Sequence, residues 1–225
     1  MTAMTAMTAM TAMTAMTATA AAAFALIAAL AWLAVYRQWA HVERAAKPLV
    51  MVALAALALT MGAADHTAGR LVLMALFFSL VGDIFLNRKA TVDSLGVPLA
   101  FLLAHLAYVF AFLLLGFQRW WALLGLVIAV PLGLTSGRRI VRSAARVEGV
   151  ALGASVTAYL LVISAMVITA SGTGRLLVLL GALTFMISDT VLGLDRFVGP
   201  RANARMVVIV TCHLGQAMMV IGALR

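Results

Sequence analysis

The chain has 225 residues, 65% of them apolar and only 10% charged, against roughly 45–50% and about 25% in soluble domains. That composition excludes a water-soluble globular fold and places the chain in a membrane. The net charge of +9, from 16 basic and 7 acidic residues, is gathered in short stretches between apolar runs, a pattern of membrane topology and anionic lipid rather than of nucleic acid.

The first twenty residues, "MTAMTAMTAMTAMTAMTATA", repeat every three positions without charge or apolar periodicity, and they lack the basic start of a signal peptide. Residues 1–19 are therefore expected to form a low-complexity tail outside the fold, with 20–225 as a transmembrane domain. Apolar runs holding at most one ionisable residue then follow at roughly 20–36, 48–64, 70–87, 96–117, 120–134, 149–170, 175–194 and 204–224. At a rise of about 1.5 Å per residue each is near the length of a membrane-spanning helix. The fold class is thus all-α, a polytopic bundle of eight transmembrane helices. Pro48, Pro98 and Pro200 fall at or before span starts, where a missing N–H costs least, whereas Pro131 near the end of the fifth span is expected to kink it. The single cysteine, Cys212, lies inside the last run, so an intramolecular disulfide is impossible and the redox compartment is unread.

The loops alternate in charge. "RQWAHVERAAK", "NRKATVDSL", "TSGRRIVRSAARVE" and "DRFVGPRANAR" carry twelve of the sixteen Lys and Arg residues, and Arg70, Arg119, Arg175 and Arg225 carry the rest. The positive-inside rule puts the rich side in the cytoplasm and both termini outside, as an even number of spans requires. Short loops make sequence neighbours spatial neighbours, with small residues at the contacts. "GVALG", Gly149 to Gly153, matches GxxxG, and Gly82, Gly181 and Gly193 also favour close approach.

Four ionisable residues interrupt these apolar runs. Asp83 lies about 6 Å from the basic end of the third span and Asp189 about 9 Å from that of the seventh, while His105 and His213 lie about 13 Å inside the same face. An ionised Asp at a helix centre costs at least ~2.5–3.5 kcal/mol, so such groups turn toward a bundle interior or a wet cavity. The structural alternative is hydration at the interface, or pairing with Arg88, Lys89 or Arg196; Asp189 and Arg196 are seven residues apart on one helix face. Ser79, Tyr108, Ser155, Tyr159 and Gln216 share these faces, and together with the apolar residues around them they are expected to line a slot for an acyl or alkyl chain.

"KPLVM", "SLVGDIFL", "FLLAHLAYVFAF", "GALTFMISDTVLGLDRF" and "LGQAMMVIGAL" together resemble the YhhN-like lysoplasmalogenase family of multi-pass membrane proteins, from Lys47 almost to the C-terminus. The resemblance implies hydrolysis of the vinyl ether bond of lysoplasmalogens to a fatty aldehyde and glycerophosphoethanolamine or glycerophosphocholine. It carries the two motif acids onto Asp83 and Asp189 and the polar helpers onto His105, Tyr108 and Gln216. Before Gln216 the chain reads "TCHLGQ", with Cys212 and His213 where the family tends to have tyrosines.

Vinyl ether hydrolysis begins with protonation of the β-carbon and passes through an oxocarbenium ion, so it needs a neutral acid beside an anion, as two neighbouring carboxyls provide. One of Asp83 and Asp189 is expected to donate the proton and the other to stabilise the cation or activate water; the sequence leaves the assignment open. His105 is expected to position water or set the protonation of the pair. Tyr108, Tyr159 and Gln216 are expected to hold glycerol oxygens, and Arg88, Lys89 and Arg196 the phosphate. No cofactor is called for. The partners are a lysophospholipid entering from the inner leaflet and membrane lipids, in a bacterial plasma membrane. Two rival readings are a Zn²⁺ hydrolase using His105, His213, Asp83 and Asp189, which lacks any metal spacing, and a proton-coupled transporter with an acid relay. A third is an assembly factor whose acids serve packing alone.

Overall fold

A computed structural model describes residues 3–87 and 96–225, and every regular element among them is helical. The helices are α1 (Ala3–Tyr36), α2 (Ala40–Thr60), α3 (Thr67–Asn87), α4 (Gly96–Leu114), α5 (Arg119–Leu132), α6 (Arg138–Glu148), α7 (Val150–Gly172), α8 (Leu176–Gly193) and α9 (Ala204–Leu224). Six helical stretches are long and apolar enough to cross a membrane, with α5 and α6 counting as one; Pro98–Leu114 is apolar but shorter. The chain is an integral membrane protein built as a helical bundle.

The Met-Thr-Ala repeat is helical, and α1 runs unbroken through it for 34 residues. Ala and Met are strong helix formers, and the threonine hydroxyls donate back to carbonyls four residues earlier, as in Thr11 to Met7 at 2.9 Å and Thr19 to Ala15 at 2.8 Å. Propensity rather than burial carries this part, because Met7, Met10, Met13 and Met16 are all exposed.

The charged stretch before Pro48 is also helical. It forms the first two turns of α2, so Pro48 sits inside the helix rather than at its start. Beyond Pro131, the expected loop continues as a π-helical segment (Gly133–Gly137) leading straight into α6. Pro131 removes one N–H from the regular ladder, and the wider turn follows it. α6 buries Ile140 and Ala144 while leaving Arg138, Arg139, Arg142 and Arg146 exposed, an amphipathic pattern that a hydropathy reading takes for a loop.

Neighbours in sequence pack as neighbours in space: α1 on α2, α2 on α3, α3 on α4, α7 on α8 and α8 on α9. α4 crosses to α7, α5 packs outside against α7, and α9 also touches α1, α2 and α3, which makes it the inner helix of that side. Met51, Leu54, Leu76, Tyr108, Phe112, Ile163, Met166, Phe185 and Met219 form the dry interior. Between helices in lipid the gain comes from close packing rather than from apolar transfer. α8 and α9 show it best: a Cβ on Gly181 would lie 2.7 Å from the Met219 nitrogen and 2.8 Å from the Gly215 carbonyl. A side chain at Gly181 would push the two backbones apart.

Candidate active site

The polar centre lies toward the end of the bundle where α2 and α9 begin and α3 and α8 finish. α8 brings Asp189 inward, and Tyr159 on α7 donates its hydroxyl to Asp189 Oδ2 at 2.9 Å. The same oxygen lies 3.2 Å from His105 Nε2 of α4. This contact is close enough for an ion pair but too poorly aligned for a hydrogen bond, and Nε2 has no other partner.

The other ring nitrogen is committed. Nδ1 of His105 donates to the Phe101 carbonyl one turn earlier; a carbonyl only accepts, so Nδ1 carries a proton. Nε2 therefore faces Asp189 as the bare nitrogen of a neutral ring or as the N–H of an imidazolium. Tyr159 and Phe185 clasp the imidazole edge-on, with centroids 5.3 and 5.0 Å away. Phe101 in turn packs where Gly82 lacks a side chain: a Cβ there would come within 2.7 Å of the ring. Gly82 thus sets the spacing of α3 and α4 one residue before Asp83.

Asp83 is buried at 8% exposure and has no hydrogen-bond partner among the described residues. The charges of both Asp83 and Asp189 act on the Cys212 thiol of α9. Gln216, one turn along α9, accepts from Tyr108 Oη at 3.0 Å. Its own amide nitrogen has no partner, nor has the hydroxyl of Ser79 on α3. His213 is held from α1, where Trp32 Nε1 donates to its Nδ1 at 3.1 Å.

Among the described residues, three helices therefore each present a fully buried polar atom without a hydrogen-bond partner: Ser79 Oγ, His105 Nε2 and Gln216 Nε2. Such atoms cost about 1–3 kcal/mol each when left unsatisfied, and their presence on the helices that carry Asp83 and His105 and on α9 suits polar atoms of a ligand or water.

Some expected residues have partners within the protein. Tyr159 serves Asp189, Tyr108 and Gln216 pair with each other, and Ser155 turns back to the Ala151 carbonyl of its own helix at 3.0 Å. Arg196 is exposed and lies over the Phe197 ring, its carbon 5.5 Å from the centroid, rather than pairing with Asp189. Arg88 and Lys89 lie outside the described residues. Among the described residues no three of His, Cys, Asp and Glu converge as metal ligands, so His105, His213, Asp83 and Asp189 do not form the donor set that the zinc reading needs.

Sequence reasoning missed a charged cluster at the mouth. Glu43 of α2 is almost fully buried, with Lys47 Nζ 2.7 Å from its Oε1 and Arg205 of α9 on its Oε2. Burial alone would raise the Glu43 carboxyl, but the hydrogen bonds and charges of Lys47 and Arg205 hold it below its ordinary value. The i,i+4 spacing of Glu43 and Lys47 was the available signal. Two clefts lie elsewhere: one of about 480 Å³ at the far end beside His66, Arg175 and Arg225, the other, about 500 Å³, on the apolar outer face around Trp120. Neither touches the acids, and convergent polar chemistry outweighs size as a guide here.

These features define a polytopic helical membrane protein with a buried acid, imidazole and amide centre at one end. The chain belongs to the YhhN family, whose model matches residues 42–223. No curated protein and no solved structure matches it.

Proposed function

We propose that this chain is a membrane lysoplasmalogenase, hydrolysing the vinyl ether bond of lysoplasmalogens to a fatty aldehyde and a glycerophosphoethanolamine or glycerophosphocholine. Family membership supports this reading, and the observation that carries it is the unequal setting of two acids in one polar centre, Asp83 buried and Asp189 partly buried. Asp189 receives the Tyr159 hydroxyl and faces His105, the surroundings of a carboxyl that works as an anion. Asp83 has no such partner among the described residues and works as the acid, the division seen where paired carboxyls take different roles.

In this mechanism the Asp83 carboxyl donates its proton to the β-carbon of the vinyl ether, leaving an oxocarbenium ion whose charge Asp189 stabilises. Water adds to the cation and passes a proton to Asp83, restoring the acid. The hemiacetal then breaks its C–O bond: its hydroxyl proton leaves, the glycerol oxygen gains one, and aldehyde and alcohol separate. His105, beside Asp189, is placed to carry that proton. Ser79 and Gln216 supply the open polar atoms for glycerol oxygens or water.

The substrate enters from the inner leaflet of a bacterial plasma membrane, with both termini outside. The test is aldehyde release by purified protein in detergent from lysoplasmenylethanolamine, with saturated ether and ester lysolipids as controls. Release confined to the vinyl ether is expected; folded protein that releases none overturns the assignment.

A further inference from the structure

We infer that Lys47, held by Glu43, is the binding site for the phosphodiester of a lysophospholipid headgroup. The inference rests on the proposed lysolipid substrate and adds a subsite to it. Three observations carry it.

The first is position. Lys47 sits seven residues into α2, about 10 Å along its axis, and its side chain is only 15% exposed. From there it lies within electrostatic reach of Asp83, Cys212 and His213. Among the described residues it is a largely buried cation whose charge acts on the polar centre, whereas Arg196 is exposed and stacked on its neighbour.

The second is charge. Lys47 and Arg205 place two positive charges on the single carboxylate of Glu43, leaving one positive charge over. Among the described residues, no second carboxylate forms an ion pair with Lys47 or Arg205. A phosphodiester carries one negative charge and balances the excess.

The third is donor geometry. The Lys47 ammonium has three N–H donors, and Glu43 takes one of them. The carboxylate fixes the long side chain in place, which lowers the entropy that a ligand must overcome. Arg205 ties Glu43 to α9 from the exposed side, so the anchor is braced between two helices. Gln216 Nε2, also on α9 and beside the Cys212 thiol, is a further buried donor.

The test is equilibrium binding, which does not depend on hydrolysis and so separates this inference from the reaction assigned above. Full-length protein in nanodiscs is titrated with a saturated 1-O-alkyl lysophospholipid and with the 1-O-alkylglycerol of the same chain. The wild type is expected to bind the phosphodiester about tenfold tighter or more, as a charge-assisted hydrogen bond provides. Lys47→Met is expected to bring the two ligands within about twofold by weakening the phosphodiester alone, while Lys47→Arg keeps most of the difference. Should Lys47→Met unfold, Lys47→Gln gives the same comparison with a polar replacement.

An undiminished preference in a folded Lys47 variant overturns the inference and leaves the cluster as a tie between α2 and α9. Equal loss of both ligands also overturns it. Free glycerophosphoethanolamine is expected to compete poorly, because it lacks the chain; competition equal to the lysolipid would overturn the lipid headgroup as the ligand and assign the site to a soluble phosphate.

Discussion

The two ends of the bundle bury polar side chains in opposite ways. At the junction of α7 and α8, Thr169, Ser171 and Thr173 are buried, and each donates to a backbone carbonyl. Arg175 closes the same end by donating to the Gly222 and Ala223 carbonyls at 3.0 and 2.8 Å. Every one of these groups satisfies a helix terminus or a hydroxyl. At the other end Ser79, His105 and Gln216 keep a buried polar atom without a partner, beside two acids. Polar residues that close a helix end serve the fold, and those left open beside ionisable groups serve a ligand.

The comparison can be broken by substitutions that exchange these roles. The largest effect belongs to the acids: Asp83→Asn and Asp189→Asn are each expected to lower kcat/KM for aldehyde release by about 10²-fold or more, with thermal unfolding little changed. Variants that keep their activity would reduce both acids to packing residues. Next comes Tyr159→Phe, which deletes one hydrogen bond to Asp189 and is expected to lower kcat by about tenfold or more, leaving KM nearly unchanged.

Arg175→Ala sharpens the contrast from the closed end. It uncaps two carbonyls and is expected to cost about 1–3 kcal/mol of stability, read as a lower unfolding temperature, while kcat/KM per folded molecule stays the same. A fall in kcat/KM of folded protein would mean that the closed end also serves the reaction.

The smallest effect is a pH dependence at the mouth. Glu43 is held below its ordinary value of 4.5 by Lys47 and Arg205 against the cost of burial. A lowered carboxyl contributes stability that is fully present above 4.5 and disappears as pH falls through the lowered value. The unfolding temperature of the wild type should therefore fall below that pH more steeply than that of Glu43→Gln; parallel curves would remove the tie between α2 and α9 from the account.

Much of this was legible in the sequence because lipid imposes a simple rule: apolar runs of the right length become helices, and an ionisable residue inside one needs a reason. Asp83, His105, Asp189 and His213 stand out on that ground. The charged start of α2 and the arginine-rich α6 did not, because hydropathy reads charge as loop even where Ala, Arg and Glu favour helix. Lys47 was therefore placed outside the bundle. The bond from Tyr159 to Asp189 and that from Trp32 to His213 join residues 30 and 181 positions apart, and no local pattern encodes such pairs.

The most direct test of the central claim is hydrolysis of lysoplasmenylethanolamine in D₂O, with the aldehyde trapped at short times and weighed by mass spectrometry. Transfer of a proton from a buried carboxyl to the β-carbon predicts an aldehyde with one deuterium at C2, formed by wild type and strongly reduced in Asp83→Asn. Aldehyde without deuterium at C2, or undiminished labelled aldehyde from Asp83→Asn, would contradict the assignment of Asp83 as the acid of a vinyl ether hydrolase.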